Sequence, residues 1–572
     1  MNYVCRLFVI VLLLYVSGLA QSEQTQSSIK SEVPPGDVPT PVSGTSAVVN
    51  VLGEAHELYR KGDFDGAVAK YRLFLQTQPG SPDAYAGIAR AYLKAKRIDD
   101  AAAAVAEGLS HHDSPRLRVA EGFVLFRQGK ITEAEQEWVK VINGGGREPR
   151  AYLGLARVRM AIAMYKSAKK MLDKAHELDP DDPDIEEEWI YTLSSAERVK
   201  YLERSLAGPN SWDSDERESI TNYLAYLRER ERAKGSQGPC RLSSSVTSTE
   251  APLVRLLQDP YHLRGFGLSV FLNGHKNKLR LDTGASGIVV KRSIAENAGI
   301  VKIAPLKIWG IGDKGGRLAY RGMAGSIRIG DLEFRNCPIE VVDGGSLGEE
   351  DGLIGSDVFS DFLIDIDFPQ EKLRLSELPT RPGEEKKKLA LKNEDDDQDG
   401  PGADTASSGT SENRKDESDH PREFYDRYIS PEMQTYTRVF TLRHYLLIPT
   451  SIGDVPSKLF VLDTGAFNNT ISPGAAREVT KVHNADITVE GLSGSVNHVY
   501  SANKAVLRFG RIKQENQDLV AFDMSHISDS AGTEISGFLG FAMLRLLDIK
   551  IDYRDALVDF RFDPERWKAF TN

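Results

Sequence analysis

Residues 277–290 read NKLRLDTGASGIVV, and the core of this stretch returns at residues 457–472 as SKLFVLDTGAFNNTIS. In both copies an apolar run leads into the triplet Asp-Thr-Gly, at Asp282 and at Asp463. A single Asp-Thr-Gly carries little information, because Asp and Gly are common in tight turns. The repetition points to a duplicated unit, which the residues downstream can test.

The duplication extends well beyond the triplet. An apolar-apolar-Gly signature follows each copy, 73 residues after the first Asp and 77 residues after the second. The two signatures are Leu353, Ile354, Gly355 and Phe538, Leu539, Gly540. After them, SDVFSDFLIDIDFPQEKLRL aligns without a gap with FAMLRLLDIKIDYRDALVDF, so that Asp367 is level with Asp552. Short β-branched runs separated by Gly and Asp predict strands in both segments.

These features, in order and duplicated, resemble the aspartic peptidases of the pepsin and retroviral type. In that family each lobe supplies one Asp-Thr-Gly loop, and the apolar-apolar-Gly residues pack beneath it. The resemblance covers both β segments, close to half of the chain, and implies two retropepsin-like β-barrel lobes. Both segments are closer in length to the compact retroviral or bacterial core than to a full pepsin lobe.

The chemistry of peptide hydrolysis explains why two aspartates are needed. One group must take a proton from water while another protonates the carbonyl. Two adjacent carboxylates cannot both ionise easily, so they share a proton and titrate as a coupled pair. Asp282 and Asp463 are therefore the candidate catalytic residues. The resemblance implies that Thr283 and Thr464 bond across the lobes and hold the loops rigid.

The next positions complete the predicted support of the two loops: Gly284, Ala285, Gly465 and Ala466. A side chain at either glycine would intrude where backbone amides approach the carboxylates. The family also covers its substrate with a β-hairpin flap, for which WGIGDKGGRLAY in the first lobe and EGLSGSVNHVY in the second are candidates, with surface hairpins as the alternative. The flap glycines are Gly310, Gly312, Gly315, Gly316, Gly491 and Gly494.

Two departures from the family pattern stand out. The retroviral Arg after the second signature is replaced by Ser356 in one copy and by Phe541 in the other, so that its supporting contact is in doubt. The second loop has Phe467 where the first has Ser286. This unlike pair predicts an asymmetric cleft with different subsites on its two sides.

A second repeat precedes the β segments. Small and Pro positions recur with a period of 33 or 34 residues: Ala67, Ala101, Ala134, Ala168, and Pro82, Pro115, Pro149, Pro183. Such a period, built from two amphipathic helices, is typical of a tetratricopeptide array. The resemblance covers residues 47–183, and 184–234 read as a diverged last unit with a polar capping helix. The array predicts a peptide or protein partner on its concave surface, with a spacer or dimerisation arm as the alternative.

The chain begins with a predicted secretory signal. One Arg precedes an apolar run from Leu7 to Val16, and Gly18 and Ala20 fit the small-residue rule for cleavage, whereas an uncleaved anchor is the alternative. No later segment is apolar enough to cross a membrane. We therefore expect an exported protein, periplasmic or secreted, in a bacterial setting, with a eukaryotic secretory origin left open.

The predicted fold class is multidomain α plus all-β: a tetratricopeptide α-solenoid followed by two retropepsin-like β-barrel lobes. Ser, Gln and Pro dominate the leader, and the linker has almost no large apolar residues, so neither can bury enough surface to fold alone. The predicted boundaries are signal peptide 1–20, disordered leader 21–46, helical array 47–235, first lobe 250–378, disordered linker 379–423 and second lobe 424–566.

Composition excludes several other classes. A net charge of −11 argues against a general nucleic-acid binder, which would carry a basic face. After signal cleavage only Cys240 and Cys337 remain, which allows one disulfide or two unpaired buried thiols. No Cys or His cluster has zinc spacing and no HExxH occurs, so no metal or other cofactor is predicted.

The sequence thus predicts an aspartic endopeptidase, a hydrolase that acts on peptide or protein substrates. The long linker allows the lobes to close on each other as an intramolecular pseudo-dimer, because the free energy of loop closure grows slowly with length. Homodimers, in which each lobe pairs with its twin in another chain, are an alternative assembly. A non-catalytic peptide-binding scaffold of the cell envelope is the alternative function.

Overall fold

A computed structural model describes most of the predicted domains. The described residues are 44–208, 214–234, 240–308, 310–312, 316–342, 347, 350–382 and 426–564. The predicted signal peptide, the leader up to residue 43, residues 383–423 of the predicted linker and residues 424–425 of the predicted second lobe lie outside them. Within them, no helix is long and apolar enough to cross a membrane.

The N-terminal part is an array of helices arranged in antiparallel pairs. The helices are α1 Gly44–Arg60, α2 Phe64–Thr77, α3 Pro82–Lys94, α4 Ile98–His111, α5 Pro115–Arg127, α6 Ile131–Asn143, α7 Pro149–Ala161, α8 Tyr165–Leu178, α9 Pro183–Ile190, α10 Ser195–Ala207 and α11 Ser214–Lys234. The array therefore starts at Gly44, three residues inside the predicted leader, because the first amphipathic helix extends that far.

The two sets of repeated residues mark equivalent positions in the pairs. The repeated prolines open α3, α5, α7 and α9 at the first helical position, where their missing N–H costs no hydrogen bond. The repeated alanines are at most 2% exposed, in α2, α4, α6 and α8. Their small side chains let the paired helices approach closely, as the period predicts.

The first lobe is a closed β-barrel with additional strands. Its elements are β1 Arg241–Leu242, β2 Thr249–Pro252, β3 Val254–Asp259, β4 His262–Leu272, β5 His275–Asp282, β6 Ile288–Lys291, α12 Arg292–Asn297, β7 Val301–Ile308, β8 Arg317–Ile329, β9 Leu332–Val342, β10 Gly352–Gly355, β11 Phe362–Asp367 and β12 Lys372–Glu377. Pairing runs β9-β6-β10-β5-β4-β8, and β8 pairs with β9 to close the ring. The lobe begins before the predicted residue 250, because β1 pairs with β9 and Cys240 is disulfide-bonded to Cys337.

The second lobe repeats the same ring. Its elements are β13 Thr437–Arg438, β14 Phe440–Leu442, β15 Tyr445–Ile452, β16 Lys458–Asp463, β17 Thr470–Ile471, α13 Pro473–Arg477, β18 Val482–Asn484, β19 Glu490–Gly491, β20 Gly494–Ser495, β21 Val499–Phe509, β22 Ile512–Phe522, α14 Ser525–Ala531, β23 Gly537–Gly540, α15 Phe541–Leu544, β24 Leu547–Asp552 and β25 Leu557–Phe562. Pairing runs β15-β16-β23-β17-β22-β21, and β15 pairs with β21. The predicted fold class is confirmed.

The two lobes share a sheet within one chain. In the described residues this sheet has the order β13-β25-β24-β11-β12-β2, and β11 of the first lobe pairs antiparallel with β24 of the second. Its core includes Ile364, Ile366, Ile549 and Ile551, none of which is exposed to solvent. The shared sheet holds the two barrels face to face.

The start of the predicted linker is ordered against the second lobe. Arg381 forms an ion pair of 2.6 Å with Asp555, and the backbone N–H of Tyr428 donates to the same carboxylate at 2.9 Å. Asp555 is fully buried. The predicted boundary at residue 379 is therefore too early, since the buried carboxylate binds a residue on each side of the linker.

The helical array packs against both lobes. The carbonyl of Phe126 accepts a hydrogen bond of 2.6 Å from Thr533 Oγ1, and Arg127 forms an ion pair of 2.7 Å with Asp529 in the second lobe. At the other end of the array, the guanidinium of Arg321 in the first lobe lies 4.8 Å from the ring centre of Tyr226 in α11. A hydrogen bond, an ion pair and a cation–π contact therefore join the array to the two barrels.

Candidate active site

The two predicted catalytic aspartates end equivalent strands. Asp282 closes β5 and Asp463 closes β16, and each strand pairs in parallel with its apolar-apolar-Gly strand. The registers place Gly355 opposite Asp282 and Gly540 opposite Asp463. Because both barrels have the same pairing order, the shared sheet brings the two strand ends to one point between the lobes.

The glycines of the signatures allow close packing under the aspartate loops. A Cβ on Gly355 would lie 2.5 Å from the carbonyl oxygen of Ala285, and a Cβ on Gly540 would overlap the backbone of Asn468. The central apolar residues Ile354 and Leu539 are fully buried below. The remaining members, Leu353 and Phe538, flank them in the same strands.

Four hydrogen bonds cross between the lobes at the threonines. The hydroxyl of Thr464 accepts from the backbone N–H of Thr283 at 3.0 Å and donates to the carbonyl of Leu281 at 2.9 Å. The hydroxyl of Thr283 makes the mirror-image pair, accepting from the N–H of Thr464 at 3.0 Å and donating to the carbonyl of Leu462 at 2.8 Å. Both side chains are buried. This exchange locks the two loops to each other.

The carboxylates lie side by side between the two loops. The N–H of Gly284 donates to Asp282 Oδ1 at 2.9 Å, and those of Gly465 and Ala466 donate to Asp463 Oδ1 at 2.8 and 2.9 Å. A Cβ on Gly284 would lie 2.7 Å from Cγ of Asp463, and a Cβ on Gly465 would overlap the carboxylate of Asp282. Each glycine therefore touches the carboxylate of the other lobe.

Burial raises the pKa of both aspartates. Burial, followed by the negative charge of Asp282, raises the pKa of Asp463 to about 8. Burial also raises the pKa of Asp282, although the N–H of Gly284 and the charge of Arg280 oppose this. Two carboxyl groups in such close contact titrate as a coupled pair.

Asp357 supplies a loop contact where the retroviral Arg is absent. Its carboxylate accepts from Ser286 Oγ at 2.9 Å and from the N–H of Gly287 at 2.9 Å. Burial raises its pKa to about 6. In the second lobe Asn469 Oδ1 accepts from the N–H of Gly540 at 2.8 Å. Two different polar residues thus support the loops at the positions where the family contact was in doubt.

The two residues in the place of the retroviral Arg have other contacts. Ser356 Oγ lies 2.6 Å from the hydroxyl of Tyr553 in the second lobe. Phe541 is buried, and Phe467 lies 6.3 Å from it between ring centres. Phe467 is 47% exposed, whereas Ser286 is bonded to Asp357. The two sides of the cleft therefore differ in chemistry at this position.

The two flap candidates meet each other at their tips. The hairpin of β7 and β8 carries residues 310–312, and that of β19 and β20 carries residues 491–494. The N–H of Ser493 donates to the carbonyl of Ile311 at 2.9 Å, and the N–H of Gly310 donates to Ser493 Oγ at 3.1 Å.

Glycines permit this close contact of the tips. A Cβ on Gly312 would overlap the backbone of Gly494, and one on Gly491 would lie 2.5 Å from the carbonyl oxygen of Ile311. Gly316 precedes β8, and Gly315 lies outside the described residues.

A hairpin that the sequence did not indicate also lies against the dyad. His444 and Tyr445 follow β14, and His444 lies close enough to the backbone of Gly284 for the two to interact. Burial lowers the pKa of His444 to about 4. Burial and then the charge of Asp463 raise the pKa of Tyr445 to about 12. Both are therefore neutral between those values, and no motif in the sequence marks them.

Within the helical array, the buried carboxylate of Asp184 joins several helices. Asp184 in α9 is 3% exposed and accepts a hydrogen bond of 2.9 Å from the hydroxyl of Tyr59 in α1. It also pairs with Lys94 of α3 at 2.6 Å and with Arg150 of α7 at 2.7 Å. The two cations outweigh burial and hold the pKa of Asp184 well below its usual range. Helix α9 thus fills the space between three first helices of the repeats.

The possible cofactor sites are few. Among the described residues no group of three or more His, Cys, Asp or Glu side chains could hold a metal ion. Cys240 and Cys337 are joined in a disulfide and are not available as ligands.

Comparisons with known proteins agree with the architecture. A family model described as aspartyl protease matches residues 268–358, and a tetratricopeptide repeat model matches residues 58–122. No curated protein matches the chain.

Two solved structures show similarity to parts of the chain. A study described as the functional characterization of Pseudomonas aeruginosa pilF gives 18% identity over 34% of this chain and 89% of that chain, with a TM-score of 0.24. A retropepsin-like aspartic protease from Rickettsia conorii gives 23% identity over 24% of this chain and 94% of that chain, with a TM-score of 0.18.

Proposed function

We propose that this chain, which combines a tetratricopeptide repeat segment with an aspartyl protease segment, is an aspartic endopeptidase. The observation that carries the proposal is the contact between the two loops, in which Gly284 and Gly465 each touch the carboxylate of the other lobe. A buried pair of carboxyl groups that share a proton is what metal-independent activation of water requires. A scaffold that only binds peptides has no need of such a pair.

The reaction follows from one ionised and one protonated aspartate. A water molecule held between Asp282 and Asp463 gives a proton to the ionised carboxylate as its oxygen attacks the carbonyl carbon of the peptide. The protonated carboxyl group gives its proton to the carbonyl oxygen, which forms a neutral tetrahedral diol. The diol then collapses, the C–N bond breaks, and the nitrogen takes a proton from the pair, so that one acid and one amine leave.

The flap tips support an extended peptide as the substrate. Ile311 and Ser493 meet through a backbone hydrogen bond, so the tips must separate before a chain can enter. A segment with free main-chain amides on both sides could then bond to the two tips and the two loops, as extended strands do. Flexible segments of proteins offer such chains, whereas folded domains do not.

The pseudo-dimer is the proposed catalytic unit. The pairing of β11 with β24 and the four threonine hydrogen bonds all join residues of the same chain. Both sides of the linker bind Asp555, which keeps the chain between the lobes close to the second barrel. Exchange of lobes between chains is the alternative arrangement.

We further propose that the protein is exported, to the periplasm or the cell exterior of a bacterium, and that the array recruits a protein. The predicted signal peptide and the single disulfide between Cys240 and Cys337 support export, because disulfides persist in oxidising compartments. The helical repeats support a protein partner. Because Asp184 occupies the space between α1, α3 and α7, that partner would bind another face or displace α9.

Cleavage of a diverse peptide mixture between about pH 3 and pH 9, the range in which a carboxylate pair can share a proton, tests the proposal. Fragments identified by mass spectrometry distinguish internal cleavage from trimming of ends. The variants are Asp282→Asn and Asp463→Asn, each alone and then mixed, with Asp486→Asn at an exposed position as the matched control.

Each outcome has a distinct meaning. We expect each single variant to lose about 10²-fold or more of the activity, the size of a general acid–base contribution, while Asp486→Asn stays active. Partial activity in each single variant would indicate separate homodimers, and activity that returns on mixing would indicate exchange of lobes. Peptide binding without turnover by the wild-type protein would favour the non-catalytic scaffold and refute the proposal.

A further inference from the structure

The two halves of the candidate site differ at one position on the catalytic strands. Two residues before the aspartate, β5 carries Arg280 whereas β16 carries Val461. Val461 is fully buried in an apolar cluster, and the side chain of Arg280 is 17% exposed. Because side chains alternate along a strand, Arg280 lies on the same face of β5 as Asp282, two residues away. The first lobe therefore brings a cation to the pair that the second lobe lacks.

The guanidinium of Arg280 reaches the loop that covers Asp282. Its Nη1 donates a long hydrogen bond of 3.4 Å to the carbonyl of Gly465, whose α-carbon packs against the carboxylate of Asp282. Its Nη2 lies 3.3 Å from Glu350 Oε1, which also pairs with Arg264. The cluster has two guanidinium groups for one carboxylate, so it keeps an excess positive charge next to Asp282.

We propose that Arg280 is a positioning residue that makes Asp282 the ionised member of the pair, and therefore the base, and leaves the proton on Asp463, the acid. This inference rests on the proposed function. A nearby cation favours the charged form of a carboxyl group, and β16 has an apolar residue in the same place. The pKa shifts agree with this assignment, since Arg280 lowers the pKa of Asp282 while the charge of Asp282 raises the pKa of Asp463.

The other groups that face the pair leave this charge difference in place. From the hairpin of β14 and β15, His444 and Tyr445 are neutral between about pH 4 and pH 12, since burial lowers the pKa of the histidine to about 4 and raises that of the tyrosine to about 12. Arg443 on the same hairpin is exposed, so water screens its charge. Asp357 bonds to the far end of the first loop, at Ser286 and Gly287.

The test compares pH profiles of variants at this position. Arg280→Val gives the first lobe the residue of the second, and Arg280→Lys keeps the charge. Lys278→Val removes an exposed cation from the same strand as the matched control. Arg280→Val leaves the buried carboxylate of Glu350 with one partner fewer, which could prevent folding. The double variant Arg280→Val, Glu350→Gln removes that negative charge and serves if the single variant does not fold.

Two measurements follow the pair. The first is the pH dependence of kcat/KM for a cleaved peptide. The second is carboxyl ¹³C NMR titration of protein labelled at aspartate, in which Asp282→Asn and Asp463→Asn assign the two resonances. The titration reports which aspartate holds the proton without any turnover. It therefore separates failure of this inference from failure of the proposed function.

We expect Asp282 to titrate first in the wild-type protein. In Arg280→Val both the acidic limb of kcat/KM and the lower pKa of the pair should rise by about one unit or more, the usual effect of an opposite charge at close range. Arg280→Lys should recover much of the shift, and Lys278→Val should show none. An unmoved lower pKa in Arg280→Val, or a lower pKa that belongs to Asp463, would overturn the inference. Absence of turnover with the expected titration would refute only the proposed function.

Discussion

Removal of one hydroxyl from the pair Thr283 and Thr464 should weaken the hydrogen bonding between the two lobes. The substitution Thr464→Val keeps the size and branching of the side chain and deletes Oγ1. That oxygen accepts from the N–H of Thr283 at 3.0 Å and donates to the carbonyl of Leu281 at 2.9 Å. Thr464 is 3% exposed, so water cannot easily replace either bond. Two buried backbone groups of the first lobe would therefore lose their partners.

The expected cost follows from these two groups. A buried donor or acceptor left without a partner costs about 1–3 kcal/mol, so Thr464→Val should lower the free energy of unfolding by about 2–6 kcal/mol. Thr283→Val should cost a similar amount, because its hydroxyl makes the mirror-image bonds to Thr464 and Leu462 at 3.0 and 2.8 Å. Since the exchange also fixes the loops of Asp282 and Asp463, kcat should fall in both variants.

Urea denaturation followed by tyrosine and tryptophan fluorescence measures the loss, and peptide cleavage measures the effect on the loops. Thr247→Val at an exposed position is the matched control and should change the free energy by less than about 0.5 kcal/mol. A loss of less than about 1 kcal/mol in the free energy of unfolding of both buried variants would contradict the prediction, because a buried group without a partner usually costs more. The threonines would then not be what joins the loops.

Three further predictions concern the pair and the disulfide. Burial and the charge of Asp282 raise the pKa of Asp463 to about 8. The folded protein therefore keeps a proton that an unfolded aspartate releases above about pH 4. As a result, the free energy of unfolding should fall as the pH rises from about 4 to about 8. Asp463→Asn cannot ionise, so its urea midpoint should exceed that of the wild-type protein at pH 8 but not at pH 4. Gly465→Ala places a Cβ on the carboxylate of Asp282 and should lower kcat by about 10²-fold, as misplacement of a reacting group does, while circular dichroism shows a folded protein. Reduction of Cys240–Cys337, which are 97 residues apart, should lower the free energy of unfolding by about 2–5 kcal/mol in urea titrations with and without reductant.

Each of these expectations has a result that contradicts it. A midpoint of Asp463→Asn that differs from the wild-type value equally at pH 4 and pH 8 would mean that this carboxyl group does not retain its proton on folding. Full activity in Gly465→Ala would show that the loop has room next to Asp282, against the packing of the two loops. A midpoint that reductant leaves unchanged would show that the disulfide does not restrict the unfolded chain.

The sequence predicted the parts of the site that depend on short stretches of chain. The two aspartates, their threonines and glycines, and the apolar-apolar-Gly residues could be found because a tight loop on a buried strand needs those residue types in that order. Contacts between distant stretches gave no such pattern. Asp357 replaces a family contact that the sequence only showed to be missing, and the hairpin at His444 resembles any other β turn.

The helical array shows the same division. The period of the alanines and prolines predicted the helix pairs, because helix packing repeats a small residue at each close approach. The buried contacts of Asp184 could not be predicted, since its partners Tyr59, Lys94 and Arg150 are spread over three repeats. In the sequence, a carboxylate that becomes buried cannot be distinguished from one that stays in contact with water when both lie in polar stretches.

The sequence by itself determined the residue types of two half-sites and of a helical repeat, because local backbone geometry and side-chain size constrain those types. The tertiary structure alone decided that β11 and β24 pair within one chain and that the flap tips at Ile311 and Ser493 meet. It also decided that the charge of Arg280 lies next to the loop over Asp282. The physical reason is that hydrogen bonding between strands and electrostatic interaction depend on distance in space, which spacing along the chain does not specify.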